Sequence, residues 1–272
     1  MLGRILVLAA SSVLFLSACT RNPVTGRKQL SLLPESQLQQ MAGNEYRTFL
    51  TQNRVLASSN NRDAEMVRRV GTRIASAITG YYNSKGRGQI LQGFQWEFNL
   101  IDKNEINAWC MPGGKVVVYT GILPVTQNEA ALAVVLGHEI SHAVAHHGNE
   151  RMSQAMLAQG LGIAGDVLTS NNPRVNGIFN ATFGAGSQVG FLLPNSRKQE
   201  YEADRFGLMF AAMAGYNPQE AVPFWQRMGS AGGQKPPEFL ATHPSDENRI
   251  AKLRQYMPEA LSYYKPMGPA AK

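Results

Sequence analysis

Two histidines four residues apart, His138 and His142, sit in the segment Val134-Val135-Leu136-Gly137-His138-Glu139-Ile140-Ser141-His142. On a helix that spacing projects both rings from one face, where they can share one Zn²⁺. Glu139, beside the first histidine, can take a proton from a water that such an ion activates. Two imidazoles leave a third protein ligand to be found. Gly at 145 and His at 148 would complete the metzincin pattern, but the chain has Ala145 and Gly148. His146 lies two turns beyond His138, about 12 Å along the axis, too far to join the same ion. His147 points off the ligand face, and both it and His146 suit a helix C-terminus. The carboxylates of Glu200-Tyr201-Glu202-Ala203-Asp204 are the remaining candidates. Glu200 and Asp204 share a helix face that Gly207 and Ala211 continue, so this helix can approach the histidines closely. Glu202 faces roughly the opposite way. The economical assignment makes Glu200 the third ligand and Asp204 the acceptor for a histidine ring N–H.

These side chains need two buried helices to hold them. The histidine helix is predicted over about 128–147 and is apolar on every side from Ala130 to Leu136. Buried His and Glu are costly there unless paired or metal-bound. The Glu200–Asp204 helix is predicted over 198–215, ringed by Tyr201, Phe206, Leu208, Met209, Phe210 and Met213. Further helices are expected over 34–50, 62–78, 150–168, 218–229 and 246–256. Phe94, Trp96, Phe98 and Leu100 alternate with polar residues, which reads as a half-buried strand. Ile106 to Met111 and Lys115 to Thr120 read as two more, joined by Pro112-Gly113-Gly114. A small sheet inside a helical chain makes an α+β domain. Residues 171–197, rich in Asn, Gly, Ser and Pro, read as a long irregular segment of the functional or mobile kind.

The chain ends bound where the protein works. Residues 1–18 read as a signal peptide, with Arg4 as the charged start and Ile5 to Leu16 as an apolar run too short to span a bilayer comfortably. Leu16-Ser17-Ala18-Cys19 resembles a bacterial lipobox, with Cys19 as the acylated residue. Thr20 rather than Asp follows it, which points to sorting to the outer membrane. Residues 19–33 then read as a lipidated tether, 34–260 as the catalytic domain and 261–272 as a tail. With Cys19 acylated, Cys110 is the one remaining thiol and no intrachain disulfide forms. The chain is 44% hydrophobic and only 17% charged, which excludes a disordered or coiled-coil protein. The formal net charge is +7 without clustered basic runs, so nucleic acid is not an expected partner.

HEISH at 138–142 followed by EYEAD at 200–204 resembles the family of zinc peptidases that includes HtpX and the CAAX prenyl proteases. Asn107-Ala108, Met111-Pro112-Gly113-Gly114, Gly121, Ser196-Arg197, and Thr242-His243-Pro244 with Arg249 extend the resemblance over about residues 22–256. It implies a mostly helical, zincin-like metallopeptidase domain with a small mixed sheet beside the HExxH helix. It also implies one zinc held by His138, His142 and Glu200, with Glu139 as base. His243 would lie near the site, polarising the scissile carbonyl or touching the metal. With no membrane helix after residue 18, the chain is similar to a lipoprotein branch of that family. The expected function is thus a lipid-anchored zinc endopeptidase on the periplasmic face of the outer membrane, cutting unfolded or misassembled polypeptides. The rival is a non-hydrolytic chaperone or assembly factor with a structural zinc. In peptidases of this architecture the strand nearest the metal is an edge that pairs with substrate, which nominates Gly114, Val116, Val117 and Val118.

Overall fold

The structure is a computed structural model of the chain, described here for residues 19–160, 172–183, 196–231, 237–243 and 248–266. The predicted signal peptide therefore lies outside the described residues. The chain opens with an antiparallel hairpin, β1 (Cys19–Arg21) and β2 (Lys28–Leu30), pairing Cys19 with Leu30 and Arg21 with Lys28. Helix α1 (Glu35–Gln52), strand β3 (Val55–Leu56) and helix α2 (Arg62–Ser84) follow. Asn61 caps α2, its side chain accepting from Ala64 N, and the helix buries Val67, Val70, Ile74 and Ile78 along one stripe.

Next come β4 (Glu97–Ile101), β5 (Ala108–Met111) and β6 (Lys115–Tyr119). The sheet order is β3-β4-β6-β5. Strand β6 runs parallel to β4 and antiparallel to β5, and Lys115 to Tyr119 are all buried. The expectation that this strand is an edge is overturned. Both of its sides are paired, so the backbones of Val116, Val117 and Val118 cannot receive an added peptide. An unbroken apolar run is what a strand covered on both faces requires. Beyond β6 the sheet ends at β5, whose outer side pairs with no other strand among the described residues.

The remaining helices are α3 (Leu123–Thr126), α4 (Glu129–Val144), α5 (His147–Ala158), α6 (Pro173–Phe183), α7 (Ser196–Met213), α8 (Ala221–Ser230), α9 (Glu238–Thr242) and α10 (Arg249–Tyr263). The fold is mostly helical with a small mixed sheet, as the pattern predicted. Helix α4 is capped by Asn128 and buried from Ala131 to Val144. It stops earlier than predicted, because His146 adopts a left-handed conformation (φ 55°, ψ 32°) that turns the chain into α5. Part of the segment expected to be irregular is helical instead, since α6 buries Val175, Ile178 and Phe179. Among the described residues no helix is long and apolar enough to cross a membrane.

Residues 19–33 are not a free tether in this structure. Asn22 Nδ2 donates to Ala145 O at 2.9 Å, Ser153 Oγ accepts from Leu32 N at 2.9 Å, and Leu32 and Leu33 are buried. The hairpin is docked against the turn between α4 and α5.

Candidate metal centre

Helices α4 and α7 cross at two glycines. A Cβ at Gly137 would lie 2.5 Å from Gly207 O, and one at Gly207 would lie 2.7 Å from His138 N. Only glycine permits that approach, and it brings Glu200 and Asp204 of α7 up against the histidines of α4. His138 Nε2 and His142 Nε2 are 3.2 Å apart, and Glu200 reaches them at 3.3 and 3.4 Å through its two oxygens. His243, at the C-terminus of α9, adds its Nδ1, 3.2 Å from His138 Nε2 and 3.1 Å from Glu200 Oε2. The four atoms, each able to ligate a metal, lie within 4.8 Å of one another, and all four residues are buried. Convergent lone pairs in so small a buried volume repel one another unless a proton or cation sits among them.

Glu139 stands beside this group without joining it. Its Oε1 lies 3.3 Å from His243 Nε2, yet the geometry is not that of a hydrogen bond, and among the described residues this buried oxygen has no donor. Burial pushes the Glu139 carboxyl above its ordinary value, which makes it a better proton acceptor once ionised. Glu200 behaves oppositely. Burial raises its carboxyl, but His243 and His142 more than offset that and hold it well below the usual carboxylate range. Burial pushes the His142 ring well below its ordinary value. Burial also disfavours charge on His138, but hydrogen bonds to Asp204 and Glu200 win and raise it from 6.5 to about 9. The carboxylates that favour a proton on that ring equally favour a cation beside it.

Behind each histidine stands a support. Asp204 Oδ1 is 3.0 Å from His138 Nδ1 and 2.7 Å from Arg249 Nη2. Arg249 is buried, stacks 3.3 Å from the centroid of the Trp225 ring, and donates from Nη1 to His243 O at 3.2 Å. Behind His142 is His147, with the two Nδ1 atoms 2.9 Å apart. His147 Nε2 in turn lies 3.0 Å from Glu202 Oε2, and Glu202 accepts from Arg27 Nε at 2.8 Å. His147, expected off the ligand face, is outside the ligand group but touches His142 from behind, and Glu202, expected to face roughly opposite to Glu200, meets His147 there. The expectation for His147 assumes a helix unbroken through 147, whereas the turn at His146 folds His147 back onto His142.

No local signal pointed to Arg27, which is 175 residues from Glu202. Gly114 lies in the turn before β6 and Val116 to Val118 in the sheet interior. Pro244, Asp246 and Glu247, expected to start the helix after His243, fall outside the described residues. Cys110 is half-buried on β5, and burial raises its thiol well above the ordinary value.

Residues 61–257, well over half of the chain, match the model of peptidase family M48. This chain belongs to that family. Its relatives include the mitochondrial metalloendopeptidase OMA1 of Schizosaccharomyces pombe, 38% identical over 62% of this chain and 49% of that protein. The human mitochondrial metalloendopeptidase OMA1 is 32% identical over 88% of this chain and 46% of its own length. The β-barrel assembly-enhancing protease of Escherichia coli is 31% identical over 65% of this chain and 38% of that protein. The chain spans about half or less of the length of these relatives. They support the M48 metallopeptidase domain and not an HtpX-like or lipoprotein branch of it. The expected location on the periplasmic face of the outer membrane is overturned, since relatives from yeasts, a plant and mammals carry a mitochondrial name. That expectation rested on Leu16 to Thr20, which the family match does not include, and on the resemblance to a lipoprotein branch.

Proposed function

We propose that this M48 domain is a zinc endopeptidase acting on extended polypeptide. The observation that carries the reading is the buried convergence of His138, His142, Glu200 and His243 beside a Glu139 carboxylate, one oxygen of which has no donor among the described residues. Imidazole nitrogens and a carboxylate suit a borderline ion such as Zn²⁺, and both histidines already have an acceptor-side partner for the other ring nitrogen. Zinc held there supplies Lewis-acid chemistry, polarising the scissile carbonyl and acidifying water.

The chain's own groups do the proton work. Glu139 takes the proton of the attacking water and delivers it to the leaving amine. His243 Nε2, 3.3 Å from Glu139 Oε1, faces the same reacting space. The substrate strand, misassigned to β6, is reassigned to the edge of β5. Tyr119 N donates to Asn107 O, so by antiparallel alternation Cys110 turns its N–H and C=O away from β6. Cys110 also lines one small cavity with His142 and Ala143. A peptide paired there passes the metal, and only an extended or unfolded chain offers such a strand.

One observation favours a second reading, a non-hydrolytic factor with a structural zinc: four protein donors, not three, converge, and a closed four-ligand site is the structural kind. Metal analysis with casein digestion separates the two. Under the peptidase reading the wild type cuts casein, and Glu139→Gln keeps its zinc while losing hydrolysis. Zinc-loaded wild type without hydrolysis favours the structural site. Acylation of Cys19 belongs to the same proposal as a membrane attachment. Cys19→Ala should then abolish lipid labelling.

A further inference from the structure

We infer that Arg27, on the N-terminal hairpin, and Glu202, on α7, are positioning residues for the metal ligand His142, acting through His147. The inference rests on the reading that the cluster holds zinc.

The hydrogen-bond chain has one consistent solution. If His142 Nε2 turns its lone pair toward the other ligands, its Nδ1 carries the proton. Nδ1 of His147, 2.9 Å away, must then accept it, which leaves the His147 proton on Nε2. Glu202 Oε2 stands 3.0 Å from that Nε2 to receive it. Glu202 can only accept when ionised, so it cannot reverse the direction. Each member thus dictates the tautomer of the next, ending in a neutral His142 with its metal-facing nitrogen free.

Arg27 fixes the far end. Its guanidinium makes two bonds to Glu202, at 2.8 and 3.1 Å, and two to Glu150, at 2.8 and 2.7 Å. Gln199, the neighbour of Glu200, donates its Nε2 to Glu150 at 2.8 Å. A planar five-donor fork suits this double grip, and lysine does not reproduce it. Glu150 is buried and the Arg27 side chain is only 12% exposed, so the grip is sheltered from water. The hairpin that follows Cys19 thereby locks the carboxylate that sets His147, and His147 sets His142.

The test is zinc affinity of the full chain by chelator competition, together with the visible spectrum of the Co²⁺-loaded protein. Neither readout needs substrate. Glu202→Ala should weaken zinc binding about 10–100-fold and alter the Co²⁺ bands. Glu202→Gln keeps an oxygen acceptor for His147 Nε2–H and should recover most of that loss. Arg27→Ala should fall between the two, and Arg205→Ala, on the outer face of the same helix, should match wild type. Should Glu202→Ala fail to fold, Arg27→Lys and His147→Gln carry the same comparison. Folded Glu202→Ala with wild-type affinity would overturn the inference. A Glu202→Gln no better than Glu202→Ala would also overturn it, because charge rather than an aimed acceptor would then be at work. A wild type that binds no zinc overturns the proposed function and this inference together, whereas a zinc-binding wild type with unaltered variants overturns this inference alone.

Discussion

The two histidines of α4 are braced in opposite ways. His138 is held from the C-terminal part of the chain, by Asp204 one turn beyond Glu200 and by Arg249 at the start of α10. That brace is fully buried and short, one carboxylate and one guanidinium clamped on Trp225. His142 is held from the N-terminal end through a longer path of His147, Glu202 and Arg27. The first brace shares α7 with a ligand, so any backbone that places Glu200 places Asp204 as well. The second depends on a hairpin docked from far away in sequence. A ligand can therefore be rigid for local reasons or for tertiary ones, and mutation should tell the two apart.

The largest effect should come from the carboxylate that both histidines face. Glu200→Ala removes a proposed ligand, and metal analysis should find most of the zinc gone while far-ultraviolet circular dichroism is unchanged. Retained stoichiometric zinc would remove Glu200 from the ligand set. Next come the two arginines. Arg249→Met strands the buried Asp204 carboxylate and should cost about 3–5 kcal/mol in denaturant unfolding. Arg27→Met leaves Glu150 with its Gln199 bond and Glu202 partly solvated, so about 1.5–3 kcal/mol is expected. Equal losses would erase the contrast between the braces. Gly207→Ala should follow, at about 1–3 kcal/mol, because its Cβ meets the α4 backbone and must push the helices apart.

The smallest effect is a pH dependence. Burial raises the Asp204 carboxyl, but Arg249 and His138 outweigh it and hold it below its ordinary value. A depressed folded pKa means stability that is fully present above the unfolded value, near 4, and lost as pH falls through the folded one. Urea midpoints of zinc-free wild type should drop on acidification below about pH 4 more steeply than those of Asp204→Asn. Parallel curves would show that Asp204 is not charged in the folded chain.

The same contrast explains what was legible from residues alone. His138, Glu139, His142, Glu200 and Asp204 lie on two regular helices, where spacing of three or four residues fixes direction, and Gly207 advertised the crossing. His147 was not legible, because the chain turns at His146, a non-glycine residue in the left-handed region that no breaker motif announces. Arg27 was not legible because nothing local links it to Glu202. Strand β6 is legible as a strand next to β5, but its expected position at an edge is wrong, since β4 pairs with its other side. The unbroken run Val116-Val117-Val118-Tyr119 was the available signal of an interior position, and strand order is a long-range property that period-two alternation does not encode.

The central claim is that His138, His142 and Glu200 hold one zinc ion with Glu139 beside it and not bound. Anomalous diffraction at the zinc absorption edge, from crystals of the full chain grown with zinc, tests this most directly. The account predicts a single strong peak within about 2.0–2.2 Å of His138 Nε2, His142 Nε2 and a Glu200 oxygen, with both Glu139 oxygens outside bonding distance. A peak elsewhere, none at all, or Glu139 as a ligand would contradict it.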